Sequence, residues 1–490
     1  MFKTRLLVIL FVFSAILSTS ITALAQNDWA NTPMEELTTV VVSVNAGSNE
    51  IALNSFVDGL REELNIELEV VGLPFEEQYA LQYLDLQSGA NQFDLYVFWP
   101  MYMADFAPHL TSLSAVAPGG EEQVIADMHV DDVAEAYRWV WYFNDELYGV
   151  QMDGDVKLLH YRTDITENED NRAAFEAEYG YAYDMQALTW EQYLDVATFF
   201  SQDGDDVFGT AEIADFLAGF FWKDRLVGMG GHLFDYDMNP CSPSIEVCIA
   251  AFQNGIDTFT QGSAPEAQSF NFDDTRAQFQ GEGRAVMHVM WPEGWRLANI
   301  DNDGTSVTCN VNVAVMPGFT NDAGDLVQRV EMAGGRVIGL SAAAEPAVQE
   351  AAYKVLAYIS RPENSLSMIT SSDTLLDPWT NSQMQPENYV YAVETCDNPE
   401  AQAQQYVDVL RSSTERGYPA LQIPGAGRYF EVYERLAREA FSGQITAEEA
   451  ANRLVAEFDA ITDDIGREAQ TDAYRQYVDN VLRPLNMWDE

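Results

Sequence analysis

The segment from residue 38 to residue 98 constrains the fold most, because it alternates apolar strands with helical patterns. Apolar runs at Thr38 to Val44, Ile66 to Val71 and Phe93 to Phe98 have the length and composition of buried strands. Between them, Ile51 to Leu64 and Tyr79 to Leu86 repeat apolar residues near the helical period. This strand–helix–strand–helix–strand order predicts an α/β chain with an open parallel sheet and helices on its faces.

Polar and aromatic residues follow two strands of this predicted sheet. Asn45 and Asn49 lie in the turn after the first strand, and Trp99 and Tyr102 follow the third. Ligands of open α/β sheets collect at the carboxyl ends of the strands. Aromatic rings stack on the flat faces of a sugar, and polar side chains bond to its hydroxyl groups. This edge therefore predicts a sugar site, with a core position as the alternative for Trp99.

A second candidate wall of the site lies between Gly281 and Ile300. Ala285 to Met290 predicts a short buried strand, which is followed by Trp291 and Trp295 around a Pro-Glu-Gly turn. Aromatic residues in a loop after a strand commonly line a cleft, because the sheet fixes the backbone and the loop meets the ligand. The alternative is that both rings cap a core. The rest of the chain favours the cleft.

Two other segments supply candidate cleft residues. Asp153 and Asp155 surround Gly154, where the chain can bend sharply between lobes, although a solvated turn explains these acids nearly as well. Phe220 and Trp222 belong to an aromatic run that predicts mostly core, with one ring facing the cleft.

Residues 1–25 predict a cleaved signal peptide. Lys3 and Arg5 precede an apolar run from Leu6 to Ile21, and Ala-Leu-Ala then supplies small residues for cleavage before Gln26. No cysteine follows the cleavage point, so a lipid anchor is not expected. No later stretch reaches the roughly 18 continuous apolar residues of a membrane-spanning helix. The mature protein is expected to be soluble and either periplasmic or secreted.

The charge of the chain excludes several classes of partner. Lys and Arg number 25 against 78 Asp and Glu, which gives a formal net charge of −53. Nucleic acids and anionic membrane surfaces require basic patches, so neither is an expected partner. The acids are spread over the whole chain, which favours a solvated surface suited to a salty environment. A cationic ligand or bound calcium is the alternative.

The four cysteines are disulfide candidates, because the chain is predicted to be exported. Cys241 and Cys248 are close enough for a small loop staple, which would leave Cys309 and Cys396 for a long-range bridge. Other pairings remain open. The five histidines show no metal-ligand spacing to one another or to the cysteines, so no zinc site, and no other metal or cofactor, is expected.

The order of the motifs resembles the extracellular solute-binding proteins of ATP-driven (ABC) importers, in particular the carbohydrate-binding group that includes maltose-binding protein (family 1). Besides the signal peptide and the first strand, the segments that carry the resemblance are Phe93 to Trp99, Leu147 to Val150, Leu159 to Asp164, Leu188 to Glu191, Phe279 to Met287 with Trp295, Val313 to Gly318, Gly334–Gly335 and Tyr358 to Glu363. Each motif is weak by itself, but their order spans the mature chain and is specific.

This resemblance implies two α/β lobes, each a mostly parallel sheet flanked by helices, with a ligand cleft between them and a helical C-terminal region. The N-terminal lobe would comprise residues 27–150 and 336–395, and the C-terminal lobe residues 151–335 and 396–490. The sugar contacts that it implies, together with the additional candidates of this chain, are Asn45, Asn49, Trp99, Tyr102, Asp155, Phe220, Trp222, Trp291, Trp295, Gly335, Arg428 and Phe430. Ala218 stands where some members of the family have a carboxylate, which puts the hydroxyl pattern in doubt.

The expected function is binding without chemistry: a sugar or oligosaccharide closes the lobes, and the monomeric closed protein delivers it to a membrane permease. A glycoside hydrolase is the rival from another class, but no pair of carboxylates is anchored on consecutive strand ends, and no nucleophile-elbow or His-Glu-x-x-His motif occurs. Among binding proteins, the rival ligand is a polyamine or another cationic or polyol solute. Asp153, Asp155 and Glu293 would be the carboxylates that receive it.

Overall fold

The computed structural model describes residues 29–202, 207–300 and 304–488. The first sheet places its strands in the order Ile66–Leu73, Thr38–Asn45, Leu95–Phe98, Arg336–Leu340 and Gly149–Asp153. The first three are parallel, as the alternating pattern of residues 38 to 98 predicts. Arg336–Leu340 is antiparallel to both of its neighbours, so the other strands of this sheet share one direction.

Helices cover this sheet because their apolar stripes match its buried side chains. Val40, Val42 and Val44 are almost fully buried, and the helix Pro346–Ser360 packs on their strand. The other regular helices of this half are Ser48–Asn54, Val57–Leu64, Gln78–Ser88, Met103–Phe106, Leu113–Val116, Glu121–Asp127 and Pro362–Thr370. Such burial, at about 25 cal/mol per Å² of apolar surface, is the main source of stability for the arrangement.

The second sheet places its strands in the order Val311–Ala314, Leu158–Arg162, Ala285–Met290 and Phe208–Ala211. Leu158–Arg162 is antiparallel to both neighbours, whereas Ala285–Met290 and Phe208–Ala211 are parallel. Each sheet, in the described part of the chain, therefore contains one reversed strand in an otherwise parallel set. The helices around the second sheet include Thr163–Thr166, Glu169–Tyr179, Trp190–Phe200, Ala218–Gly228, Ile245–Gln261, Phe272–Arg276 and Glu293–Asn299.

The C-terminal region is helical, as the sequence predicts. Its helices are Pro399–Glu415, Ala426–Phe441, Ala447–Ile465 and Arg467–Tyr477. The hydroxyl of Thr446 accepts a hydrogen bond from the Glu449 amide and caps the third of them. The second and third pack against each other and against helices of the second sheet. Short strands occur at Tyr142–Phe143, Glu146–Leu147, His232–Phe234, Pro240–Ser242, Phe319–Thr320, Leu326–Val327, Val330–Met332 and Gly417–Pro419.

The chain passes between the two sheets through segments that pack closely on one another, which we call the crossings. The first is 153–157, the second is 330–335, and the third is 374–379, between the helices Pro362–Thr370 and Pro399–Glu415. Gly335 has a φ of +70°, and a Cβ there would lie 1.9 Å from the carbonyl oxygen of Asp153. Only glycine fits this contact between the first and second crossings.

Both disulfides of the described chain have the pairing suggested by the sequence. Cys241 is bonded to Cys248, and Cys309 to Cys396. The predicted signal peptide lies outside the described residues. Within residues 29–202, 207–300 and 304–488, every helix is too short or too polar to span a membrane.

Candidate functional site

A cavity of about 540 Å³ lies between the two sheets, and we call it the cleft. Residues near the ends of the first sheet's strands form one wall, and residues of the loops and helices around the second sheet form the other. Its lining includes Asn45, Asn49, Phe75, Trp99 and Arg336 on the first wall; Phe216, Phe220, Phe272, Trp291 and Glu293 on the second; and Asp153 and Asp155 between them.

Aromatic rings from the two walls meet across the cleft. Trp99, which directly follows the strand Leu95–Phe98, lies edge-on to Phe220, with 5.5 Å between ring centroids. Phe75 lies in the same way against Phe216, at 5.3 Å. Such edge-to-face pairs are favourable beyond their area burial. Phe75 and Trp99 also touch each other, with 5.5 Å between ring centroids. The four rings, Phe75, Trp99, Phe216 and Phe220, therefore form one continuous surface that spans both walls of the cleft, and we call it the aromatic wall.

Amides and a guanidinium group line the first wall beside these rings. Asn49 Nδ2 donates to Asn45 Oδ1 over 3.2 Å, and Arg336 Nε donates to the same oxygen over 3.4 Å. The Arg336 guanidinium lies over the Trp99 ring, 4.7 Å from its centroid. Asn49 Oδ1 is buried and has no hydrogen-bond partner in the part of the chain that the structure describes. This wall therefore offers fixed donors and a free acceptor for a polar ligand.

Four carboxyl groups lie together where the crossings meet the cleft, and we call them the acid cluster: Asp153, Asp155, Glu293 and Asp377. Asp153 Oδ1 accepts from the amides of Gly154 and Asp377, at 3.0 and 2.8 Å. Asp377 Oδ1 accepts from the amide of Glu293 at 2.7 Å. These bonds hold the first and third crossings and the start of the helix Glu293–Asn299 in a fixed relation.

Burial raises the pKa of every member of the acid cluster. The pKa of Asp155 is raised to about 6 and that of Glu293 to about 7, in both cases chiefly because burial disfavours the charged form. Burial and the neighbouring carboxylates also raise the pKa values of Asp153 and Asp377 well above their usual range. Arg336 acts in the opposite direction on Asp153 and Asp155 but does not outweigh burial.

These raised pKa values predict that the ligand-free protein loses stability as the pH rises. An acid whose pKa is higher in the folded than in the unfolded state keeps its proton to a higher pH when folded. Its contribution to the free energy of unfolding is therefore complete below pH 4, and it is lost as the pH rises through the folded-state pKa. Between pH 5 and 7.5, Asp155 and Glu293 should lower the free energy of unfolding by about 2–4 kcal/mol together. Urea unfolding at these pH values measures the free energy of unfolding. The double variant Asp155→Asn/Glu293→Gln should make this free energy less dependent on pH. An unchanged slope in the double variant would contradict the assignment.

The structure brings half of the ligand-binding candidates to the cleft. Those that line it are Asn45, Asn49, Trp99, Asp155, Phe220 and Trp291. Tyr102 and Phe430 lie behind them, with ring centroids 6.0 and 5.6 Å from Trp99. Gly335 belongs to the second crossing. For the residues in the cleft, contact with a ligand stays a prediction.

Three candidates lie away from the cleft, and helix geometry explains their positions. Trp222 packs on Phe252 in the interior, because it is about 200° around its helix from Phe220. Trp295 stacks on Tyr406 at 4.3 Å, since the expected Pro-Glu-Gly turn is instead the start of the helix Glu293–Asn299. Arg428 lies on the surface and pairs with Asp464 at 2.8 Å. Their assignment to the cleft needs correction.

Sequence reasoning missed several residues of the cleft and one member of the acid cluster. Arg336 could have been noticed, because it is a charged residue between a glycine pair and a buried strand. Phe75, Phe216 and Phe272 lie in loops or at helix starts whose direction no local pattern reveals. Asp377 gave no signal, since it is 224 residues from Asp153 in the sequence.

A model of a known protein family matches residues 46–365, and that family is described as "Bacterial extracellular solute-binding protein". The chain belongs to this family. The resemblance found in the sequence is thereby confirmed. This solute-binding protein also matches the "Probable amino-acid ABC transporter periplasmic-binding protein y4oP" of Sinorhizobium fredii, with 24% identity over 232 residues, or 47% of this chain. The chain spans about half of that relative, 51% of its length.

Solved structures with the same fold confirm the two-lobed α/β architecture. Maltose-bound MalE3 of T. maritima has a TM-score of 0.69 and 20% identity, covering 86% of this chain and 100% of that one. An ABC transporter solute-binding protein of Agrobacterium radiobacter K84 in complex with ribitol has a TM-score of 0.72 and 14% identity, covering 88% and 100%. At such identities the likeness shows the fold.

Proposed function

We propose that this solute-binding protein captures a sugar or polyol in the cleft and delivers it to the membrane permease of an ABC importer. The observation that carries the proposal is the aromatic wall, Phe75, Trp99, Phe216 and Phe220, beside the buried amides of the first wall. Rings of this kind stack on the carbon faces of sugars, while amides and carboxylates bond to hydroxyl groups. The maltose- and ribitol-bound relatives of the same fold support this choice of ligand class.

The proposed mechanism is closure of two lobes, with residues 27–150 and 336–395 in one and 151–335 and 396–490 in the other. Ligand stabilises the closed form only to the extent that it binds that form more tightly. The rings that meet across the cleft provide such a difference, because a ligand seated beside them touches both walls only when the lobes are closed. The protein acts outside the cytoplasmic membrane as a monomer and releases its ligand unchanged.

A thermal-shift screen of sugars and polyols tests the proposal directly. Ligand at 100 times its dissociation constant stabilises the folded state by about 2.7 kcal/mol, which raises the unfolding temperature. Maltose, ribitol and a panel of mono- and oligosaccharides at millimolar concentration are the probes. The absence of any stabilisation across the panel would overturn the proposal. New reducing ends after incubation with oligosaccharides would show instead that the protein is a hydrolase.

Trp99→Ala is expected to weaken the binding of whichever sugar or polyol the screen identifies by at least about 30-fold, since buried tryptophans dominate binding energies. Isothermal titration calorimetry measures the change. The matched control is Trp295→Phe, which keeps a ring on Tyr406 outside the cleft and should alter the dissociation constant less than about twofold. Equal losses in the two variants would contradict the placement of the site at the aromatic wall.

A further inference from the structure

We propose that the natural ligand carries a protonated amine beside its hydroxyl groups, and that Asp153, Asp155 and Asp377 receive this amine. The inference rests on the proposed function, because it assumes that a polar solute occupies the cleft. It names the substrate class more narrowly: an amino sugar or an amino polyol. The three carboxyl groups offer oxygen atoms that all lie within 4.8 Å of one another.

This upper limit is compatible with the hydrogen-bonding geometry of an ammonium group. An ammonium donates three hydrogen bonds in tetrahedral directions. With N···O distances of about 2.9 Å, three acceptors around one nitrogen are about 4.7 Å apart. An ammonium group that enters beside Asp153 and Asp155, which line the cleft, would therefore have the Asp377 carboxyl group, just behind them, within reach. A hydroxyl group donates a single hydrogen bond and cannot satisfy three carboxylates.

A second, independent observation indicates that the acid cluster is incomplete without a ligand. Oδ2 of Asp377 and Oε2 of Glu293 are buried and have no hydrogen-bond partner in the described ranges of the chain. Both residues are nearly inaccessible, at 1% and 2% relative exposure. A buried polar atom without a partner is costly to the folded state, and more so when it is charged. Glu293 lines the cleft, so a ligand donor can reach it.

The charges that face the acid cluster do not balance it. Arg336 comes closest, with Nη1 3.8 Å from Asp155 Oδ2, but it lies over the Trp99 ring. Lys157 already forms ion pairs with two carboxylates outside the acid cluster, Asp224 and Glu331.

Two other arginines, Arg296 and Arg276, lie near Glu293. Arg296 donates to the carbonyl oxygens of Ser371 and Thr374, and Arg276 lies over the Phe272 ring. Both lower the pKa of Glu293, yet burial still raises it to about 7. Among the described residues, the acid cluster thus lacks cations that match all four of its carboxyl groups, and a cationic ligand would favour their ionised form.

The surroundings favour an organic cation over a bare metal ion. Trp291 and Phe272 lie on the same wall as Glu293, with 6.0 Å between their ring centroids. Rings attract an ammonium group and cover the carbon skeleton that carries it. Calcium needs six to eight oxygen ligands at about 2.3–2.6 Å. Trp291 and Phe272 supply none of these oxygens, and three carboxyl oxygens of the described residues lie within 4.8 Å of one another, so further acid oxygens or water would have to complete a calcium shell.

Matched pairs of ligands test the inference by calorimetry at pH 7.5. The pairs are glucosamine with glucose, and 1-amino-1-deoxysorbitol with sorbitol. The amine of each pair should bind at least about 30-fold more tightly, or about 2 kcal/mol. N-acetylglucosamine, which lacks the positive charge, should lose that advantage. Asp155→Asn should reduce the advantage below about threefold.

The matched control is Asp408→Asn, which removes the same charge from a helix outside the cleft and should leave the advantage unchanged. If the neutral members bind as tightly as the amines, the amine inference is overturned while the proposed function stands. If calcium chloride alone stabilises the protein, and Asp155→Asn abolishes this effect while amines have none, the cluster is a metal site and the inference is likewise overturned. If no amine, sugar or polyol binds, both proposals fall.

Discussion

Replacing Lys157 by methionine is expected to lower the free energy of unfolding by about 3–5 kcal/mol, the usual cost of removing one partner of a buried ion pair. Lys157 Nζ lies 2.9 Å from both Asp224 Oδ2 and Glu331 Oε2, and all three side chains are almost inaccessible. Methionine fills a similar volume but leaves the buried Asp224 without this cation, and Glu331 with only Lys223, at 3.5 Å. Urea unfolding followed by circular dichroism measures the loss.

The neighbouring lysine provides a matched control for this prediction. Lys223 Nζ is 3.5 Å from Glu331 Oε1 and is fully buried too. Burial lowers its pKa, whereas Asp224 and Glu331 raise that of Lys157. Lys223→Met should therefore cost less than half as much, because Glu331 keeps Lys157 as its partner. Equal losses in the two variants would show that the cost arises from methionine in the interior and not from the lost ion pair.

Removal of the long disulfide is the second large effect that we expect. The bridge Cys309–Cys396 closes a loop with a sequence separation of 87, against 7 for Cys241–Cys248. The chain-entropy model gives about 4–5 kcal/mol for the longer loop and about 2 kcal/mol for the shorter one. Cys309→Ser/Cys396→Ser should thus lower the unfolding temperature clearly more than Cys241→Ser/Cys248→Ser, as calorimetric scans would show. A larger loss for the short bridge would contradict the entropic explanation.

The sheets were predictable because their signals are local. Three apolar runs separated by helical patterns suffice to predict a parallel first sheet, and the apolar run Ala285 to Met290 predicts a strand of the second. The pairing of Cys309 with Cys396 followed only by elimination, so the structure was needed to establish it. Side-chain periodicity reports burial, and burial determines most of the fold.

The cleft was only partly predictable, because residue type does not reveal direction. Trp222 and Trp295 have the chemistry of sugar-binding residues, yet each is turned into the interior by its helix. The Pro-Glu-Gly sequence before Trp295 suggests a turn, but proline is equally suited to a helix start. Asp377 joins the acid cluster through the tertiary structure alone. Such contacts between distant segments have no counterpart in a local pattern.

Asp153 belongs both to the cleft and to the first of the crossings that connect the two sheets. Asp153 pairs with Arg336 in the register of the first sheet, and it bonds to the amide of Asp377 in the third crossing. Its backbone thus belongs to the first sheet, while its carboxyl group joins the first and third crossings. If the proposed amine binds here, the solute acts on the segments that connect the lobes, and its binding should bias the angle between them.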